Sequence, residues 1–419
     1  MNKLIMITGS VASPFFLNEL PMTKQYYDDV SIIEFSGNKA VGDFITNEYS
    51  YKVFNCKPNV FRRGFIRDFF KWLRRDYVKK EISQYASLSV KGIKRLAYIL
   101  FYGFYYAQSK HIIDKEIDAC DGQVDIYAYW LSRPAFIAAQ YRERYCDKVR
   151  RIFSRAHGYD LYTERNSQNY LPFRHYIDSK LDVIYFISEN GKRYYETRYP
   201  DLGATFSANR KVSRIGVYDT GVRKQQLDKK DTIVFASCSG IIHLKRLDLI
   251  VAVMDKLSKS YNIRWIHFGD GKLMKEITDQ CRKQLKTDSY RLYGKIDNKK
   301  LLPVYGEEDI DFFINLSDTE GIPVSIMEAM SFGVPVIARN VGGVGEIVTS
   351  ENGLLLNSGN ADEIANSVMA FLNKVKADED LYQELCMNAY NTWHNQYNAD
   401  SNYQIFYNDV LSENLIDTK

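Results

Sequence analysis

The chain has 419 residues, 45% of them apolar and 26% charged; it is too long for one ordinary domain and suits two of about 200 residues, each with a sizeable core. Its 56 basic residues nearly match its 52 acidic ones, for a net charge of +4, so charge gives no support to a nucleic-acid binder. The six cysteines (Cys56, Cys120, Cys146, Cys238, Cys281 and Cys386) form no CxxC pair and have no histidine at ligand spacing, which argues against a metal site or a disulfide framework and for a reducing compartment.

The opening "MNKLIMITGS" passes straight into a strand-like run at 3–8, without the longer apolar stretch and cleavage site of a secretory signal. A polar loop, "GSVASP", follows, then "FFLNELPMTKQYY" with a helical pattern that Pro21 must either start or kink, then the strand "VSIIEF". Strand, loop, helix and strand within about 35 residues make a βαβ unit and predict a parallel sheet.

Residues 62–80, "RRGFIRDFFKWLRRDYVKK", carry eight basic and two acidic residues. Phe65, Phe69 and Trp72 recur at helical spacing beside Arg67, Lys71, Arg74 and Arg75. A basic amphipathic helix suits an anionic membrane surface; the plainer alternative is a solvated charged face over a core stripe. The apolar run "LAYILFYGFYYA" at 96–107 falls short of the about 18 residues needed to span a bilayer and reads as a buried helix. Short apolar strands follow in "VDIYAYW", "VRRIFSRAHG" and "LDVIYFIS". Two of them end in polar residues where an open sheet would present its ligand-binding carboxyl edge.

A second series starts near 231: strand "DTIVFASCSG", helix "RLDLIVAVMDKLSK", strand "IRWIHFGDG", strand "DIDFFINLS", helix "PVSIMEAMSFG" and strand "VPVIARNVGG". The chain therefore reads as two α/β sheets joined near 200–228, with a helical tail from 362 to about 415. No short-period repeat is present.

Chemistry concentrates in "DTEGIPVSIMEAMSFGVPVIA" at 318–338. Glu320 lies in the loop after a strand, and Val324–Met330 reads as a helix with Pro323 and Ser325 at its start. Free amides of a first helical turn point at whatever lies ahead, and a diphosphate is the natural anion there. Glu320 could then accept hydrogen bonds from sugar hydroxyls, and Glu328, one turn into the helix, from a ribose diol. The plainer reading, that both acids complement the helix dipole, is respectable for Glu328 and weaker for Glu320 before Gly-Ile-Pro. Lys245 and Arg246, in the loop before another helix, supply the cations a diphosphate needs; a helix start is otherwise a poor place for them. His157 sits in "SRAHGYDLY" before Gly158, which leaves room for a ligand, although a lone histidine after a strand is often structural.

"EGIPVSIMEAMSFGVPVIARNVGGVGEIV", with its E-x7-E spacing, resembles the signature of the retaining glycosyltransferases of family 4. "KRLDLI", "FGDG", "GGVGEIV", "SRAHGYDLY" and "FLNELPM" fall in the family's order. The resemblance is strong over 231–350 and weaker but continuous elsewhere. It implies a GT-B fold, an α/β architecture of two Rossmann-like domains with parallel sheets facing across a central cleft. The N-terminal domain (1–210) would bind the acceptor, the C-terminal domain (211–395) a nucleotide sugar, and a helix at 396–419 would pack back on the first. It further implies that Glu320 contacts the transferred sugar and Glu328 the ribose. The amides from Gly321 through Ile322, Pro323 and Val324 to Ser325, in which proline itself has none, hold the diphosphate. Lys245 binds phosphate, His157 lies near the reaction centre, Ile296 in "YGKI" reads the base, and Ser10 and Ser188 line the cleft or acceptor site.

Two departures stand out. Many members carry an arginine five positions before the lysine, where this chain has Gly240, and Arg246, in a place often held by glycine, is the candidate substitute; Glu-Gly-Ile-Pro also replaces the commoner Glu-Gly-Phe-Gly. The implied activity is transfer with retention from a nucleotide-diphosphate sugar to a glycan or polyprenyl-linked acceptor, in the synthesis of a bacterial surface polysaccharide. No cofactor and no metal is expected, since "DID" at 309–311 precedes its strand. Nucleic acid is not an expected partner, and the oligomeric state is left open. The expected location is the cytoplasm, at the inner membrane face if Arg67, Lys71, Arg74 and Arg75 hold the protein there. A two-carboxylate hydrolase is disfavoured, because both acids belong to one loop–helix unit and cannot flank a bond. The alternative of a different class is a catalytically inactive GT-B subunit that binds a glycan or a partner, for which Gly240 is the support.

Overall fold

The computed structural model describes residues 2–57, 59–201, 208–219, 221, 231–296, 304–305 and 307–412. The chain divides into two compact units, Met1–Ser213 with Tyr403–Lys419, and Arg214–Asn402. Much of the expected join at 200–228, and the end of the expected helix at 396–419, lies outside the described residues.

The first unit is built on β1 (Lys3–Thr8), β2 (Asp29–Glu34), β3 (Lys52–Asn55), β4 (Val124–Ala128), β5 (Val149–Ala156), β6 (Val183–Phe186) and β7 (Asn209–Val212). They form one sheet in the order β3-β2-β1-β4-β5-β6-β7, with every pairing parallel. All carboxyl ends therefore share one edge. The strands β1 and β4 are buried along their whole length, as parallel strands covered on both faces must be. Helix α1 (Pro14–Tyr26) begins with Pro14 in its first turn and keeps Pro21 inside, so Pro21 neither starts nor ends it. Helix α2 (Lys39–Tyr49) joins β2 to β3.

The basic segment at 62–80 is two helices, α3 (Phe65–Leu73) and α4 (Asp76–Tyr85), broken at Arg74 and Arg75. The apolar run at 96–107 lies within α5 (Val90–Asp118) and supplies core residues such as Ile99, Tyr102 and Tyr106. Gly103 is dictated by packing: a Cβ there would lie 2.0 Å from the Trp72 ring. Helices α6 (Arg133–Ala139), α7 (Arg174–Asp178) and α8 (Glu189–Arg198) complete the layers around the sheet.

The second unit holds β8 (Thr232–Cys238), α9 (Leu247–Leu257), β9 (Asn262–Phe268), α10 (Met274–Gln284), β10 (Tyr290–Leu292), β11 (Phe312–Asn315), α11 (Val324–Ser331), β12 (Val336–Arg339), β13 (Gly353–Leu356), α12 (Ala361–Ala377) and α13 (Glu379–Gln396). Its sheet has the order β10-β9-β8-β11-β12-β13 and is again parallel at each pairing. Trp265, Phe312, Leu249 and Ile364 lie in one continuous core. The last helix, α14 (Ala399–Ser412), contributes Tyr403, Phe406 and Tyr407 to the first unit. There the Tyr407 hydroxyl donates to Glu19 Oε1 at 3.0 Å, and Glu19 pairs with Arg155 at 2.8 Å with both side chains fully buried. Each sheet reverses strand order between neighbours of its first strand, which is the switch point where open α/β sheets bind ligands.

Candidate functional site

At the carboxyl edge of the second sheet, β8 leads into a 3-10 turn, His243–Lys245, and β11 into the loop that starts α11. Lys245 Nζ donates to Glu320 Oε1 at 2.6 Å, with the Glu320 side chain 8% exposed. Asn315, the last residue of β11, donates its side-chain amide to the same oxygen at 3.4 Å and accepts from the Ser317 amide at 3.0 Å. The amide of Asp318 donates to the Leu244 carbonyl at 2.9 Å, tying the two loops together. The backbone at Glu320 is held from behind by the "GG" of "GGVGEIV". Gly342 has φ +57°, and a Cβ on it would lie 1.9 Å from the Glu320 carbonyl oxygen; the Gly343 amide donates to the Gly321 carbonyl. Only glycine meets both demands at 342.

Pro323 caps α11 in an extended conformation, with Ile322 buried against the core and Val324 and Ser325 half-buried in the first turn. First-turn amides have no acceptor within their own helix, so those of Val324 and Ser325 face the loop that carries Glu320. Glu328 is buried, and burial pushes its carboxyl up to about 7. No ion pair reaches it among the described residues. The thiol of Cys238, which ends β8, is pushed up to about 12 by burial and by the Glu328 charge.

Arg246 is a left-handed residue, φ 51°, between the 3-10 turn and α9. Its guanidinium meets two carboxylates, Asp248 at 3.1 Å and Asp318 at 3.2 Å. Ile296 is half-buried two residues beyond Gly294, which bridges to Gly269 at the end of β9. Asp311, of "DID", accepts from the Val234 amide at the opposite, amino edge of the sheet.

In the first unit His157 directly follows β5 and is 6% exposed. Phe15, Tyr129 and Trp130 surround its ring, Trp130 at a centroid distance of 4.2 Å. Burial, with help from the Arg155 charge, pushes its pKa down to about 3. Its Nε2 lies 3.2 Å from the Tyr129 carbonyl. A carbonyl can only accept, so Nε2 carries the proton and Nδ1 is left as an acceptor. The space above Gly158 is filled by the Arg165 guanidinium, 2.5 Å from where a Cβ would be, so that glycine makes room for a side chain. Ser10 sits half-buried in the loop after β1, its hydroxyl accepting from the Ala12 amide at 3.2 Å. Ser188 is fully buried and caps α8, accepting from the Gly191 amide at 2.9 Å.

Arg67 and Lys71 are exposed along α3, Arg74 and Arg75 are exposed at the break after it, and Arg75 donates to Gln140 at 3.2 Å. The fold thus gathers Lys245, Arg246, Glu320 and the residues to Ser325 at one edge, with Glu328 behind them. Sequence reasoning passed over Asn315, Asp318 and Arg339. Arg339 donates to the Leu316 and Ser317 carbonyls and to Asp318 at 2.6 Å, fixing the β11 loop. The position of Asn315 at the end of an apolar strand, five residues before Glu320, was the available signal.

Two parallel-sheet α/β units with a ligand-edge loop–helix of this kind define the GT-B class of fold. Over 98% of this chain and 99% of the other, the fold matches the crystal structure of Anabaena Alr3699/HepE in complex with UDP and glucose, at a TM-score of 0.65 and 17% identity. Residues 220–390 match the family model of glycosyl transferases group 1. The chain is similar to N-acetyl-alpha-D-glucosaminyl L-malate synthase of Bacillus anthracis, 24% identical over 198 residues, 46% of this chain and 50% of that enzyme. It is also similar to the O-antigen biosynthesis glycosyltransferase WbnH of Escherichia coli, 27% identical over 149 residues, 36% of this chain and 39% of that protein. The chain thus spans half or less of the length of these curated relatives.

Proposed function

We propose that the protein transfers a sugar, with retention at the anomeric carbon, from a nucleotide-diphosphate donor to a glycan or polyprenyl-linked acceptor. The Lys245–Glu320 contact at 2.6 Å, set before the first turn of α11, is the observation that carries this reading. A diphosphate at that helix start competes with Glu320 for the Lys245 ammonium. Once released, Glu320 accepts hydrogen bonds from the transferred sugar, and Glu328 accepts from the ribose.

As the glycosidic bond breaks, negative charge builds on the leaving diphosphate. Lys245 and the amides of Gly321, Ile322, Val324 and Ser325 meet it already in place, which is preorganised electrostatic stabilisation. We assign this charge to the lysine and the amides rather than to a metal ion, because the aspartates of "DID" belong to the other end of β11. His157, neutral with Nδ1 as an acceptor, suits a hydroxyl of a neutral sugar, and Ile296 offers its main chain to the base. The first unit then holds the acceptor, with Ser10 at its edge. UDP-glucose is the first donor to test, since Alr3699/HepE is seen with UDP and glucose. The likeness to an O-antigen enzyme supports a role in bacterial surface polysaccharide synthesis, and a lipid-linked acceptor places the work at the inner face of the membrane.

A thermal-shift comparison of UDP-, GDP- and ADP-sugars tests the donor, because a ligand at a hundred times its Kd stabilises the native state by about 2.7 kcal/mol. NMR of the product anomer tests retention. An inverted product sinks the mechanism, and binding without turnover by any donor favours the inactive-subunit alternative, for which the engagement of Arg246 by two carboxylates is the supporting observation.

A further inference from the structure

Helix α3 has two faces of opposite character. The inner one carries Phe65, Asp68 and Trp72, all buried, with Phe65 4.8 Å from the Phe104 ring of α5 and Trp72 against Gly103. The outer one carries Ile66, 64% exposed, and Phe70, 52% exposed, with Phe61 in the preceding turn at 93%. Residues three and four apart share a helix face, so Arg63, Arg67, Lys71 and Arg74 interleave with these apolar groups, and all four are exposed. Arg62 turns inward instead, donating to the Ala107 carbonyl at 2.5 Å. Asp68 touches Arg67 at 3.5 Å, and among the described residues no carboxylate pairs with Arg63, Lys71 or Arg74.

The place of this face in the unit matters as much as its composition. The turn at 59–64 leaves the carboxyl edge of the sheet just after β3. Next to it, Phe35, which follows β2, packs edge-on to Tyr105 of α5 at 4.8 Å. Arg133, beyond β4, lies over Phe101 and Tyr105 at 4.9 and 4.5 Å. Because the strands are parallel, Ser10 after β1 and His157 after β5 stand at that same edge.

We infer that the outer face of α3, with Phe61, docks the first unit on an anionic lipid surface. Phe61, Ile66 and Phe70 enter the headgroup boundary, and Arg63, Arg67, Lys71 and Arg74 meet lipid phosphates. Cations spread through the middle of the patch fit a phosphate-bearing surface; the core of a protein interface is depleted of charge. The consequence for catalysis rests on the transferase reading above: a lipid-linked acceptor presents its sugar end at this edge while its tail stays in the bilayer. Phe61, Ile66, Phe70 and Arg63 join the patch that the sequence outlined, while Arg75, also exposed, lies beyond the end of α3 and donates to Gln140.

Co-sedimentation of the full chain with vesicles of phosphatidylcholine, alone or mixed with phosphatidylglycerol, tests the docking. Binding is expected only to the mixed vesicles and is weakened by salt. The variant Arg63→Glu/Arg67→Glu/Lys71→Glu/Arg74→Glu is expected to bind at least about a hundredfold more weakly. Phe61→Ser/Ile66→Ser/Phe70→Ser should bind about tenfold more weakly. All seven side chains are exposed, so both variants should melt with the wild type and keep its response to nucleotide sugars. Vesicle binding without any nucleotide-sugar binding would retain the docking and remove the transferase. Wild-type protein that ignores mixed vesicles, or a charge-reversed variant that binds them equally well, overturns the docking. So does concentration-dependent self-association without vesicle binding that the serine variant abolishes, which assigns the face to a second copy of the chain.

Discussion

The two sheets present carboxyl edges of opposite electrical character. That of the second unit is ionic: Lys245 against Glu320, Arg246 between two aspartates, and the free amides of α11. That of the first unit, around β5, is aromatic, and its histidine is held neutral by burial among Phe15, Tyr129 and Trp130. An anion is recognised by placed charge and amide dipoles, a neutral sugar by ring faces and a few directed hydrogen bonds. One fold repeated twice thus supplies two recognition chemistries, and under the proposed function the phosphate-bearing substrate goes to the second unit.

The sharpest way to break the contrast is Glu320→Ala or Lys245→Ala. Removing one preorganised group from a site of developing charge costs about 100- to 1,000-fold in kcat. If both variants turn over within threefold of the wild type, the ionic edge is not where charge develops. Glu320→Gln discriminates further, since it keeps the shape and an acceptor for Lys245 but removes the negative charge.

Glu328 is the second test, through pH. Its folded carboxyl titrates at about 7, above the ordinary 4.5. A raised carboxyl pKa means that the native state holds the extra proton. The burial cost is therefore absent below pH 4.5, grows as pH rises through the window, and is complete above 7. Glu328→Gln should thus stabilise the protein at pH 8 by on the order of 3 kcal/mol and leave it unchanged at pH 4. Donor binding has the same sense: a ribose diol donates to the ionised carboxylate, so affinity should rise about tenfold per pH unit up to 7 and then level off. Flat affinity between pH 5.5 and 8 in wild type would remove the ribose from Glu328.

His157 should give a smaller effect. His157→Ala is expected to lower kcat/KM by roughly 10- to 100-fold through one lost hydrogen bond and disturbed packing. Because the imidazole is neutral above about pH 3, the pH profile from 5 to 8 should keep its shape in His157→Gln. A limb near pH 6.5 that vanishes in that variant would show a titrating histidine and weaken the contrast between the edges.

Sequence alone exposed the two edges unequally, for a physical reason. The ionic edge is local: Glu320, the helix start and Glu328 lie within nine residues, and charge with Gly-Pro punctuation is visible in a string. Strand positions were legible too, because parallel strands buried on both faces are continuous apolar runs such as "KLIMIT". The aromatic edge is assembled from Phe15, Tyr129, Trp130 and His157, which meet only when three strand ends are brought side by side. The Glu19–Arg155–Tyr407 cluster spans 388 positions and left no pattern at all. At 62–80 the helical period was correct in kind, but the string did not mark the break at Arg74 and Arg75, and the inner face is the one that packs on α5, through Gly103 and Phe104.

The smallest predicted effect concerns Arg246. Its left-handed backbone costs on the order of 1 kcal/mol for a residue other than glycine, while its partly exposed pairs with Asp248 and Asp318 return about 0–1 kcal/mol each. The two nearly cancel, so Arg246→Gly should leave the melting temperature within a few degrees. Arg246→Ala loses the pairs and keeps the strain, so it should be less stable than Arg246→Gly by about 1 kcal/mol, or roughly 2–4 °C for a unit of this size. Equal stability of the two would show that the backbone there is unstrained. Donor affinity separates the remaining roles. If Arg246 stands in for the cation missing at Gly240, both variants bind the nucleotide sugar about tenfold more weakly. If the aspartates keep it, affinity is unchanged and Lys245 alone carries the cationic half of the edge.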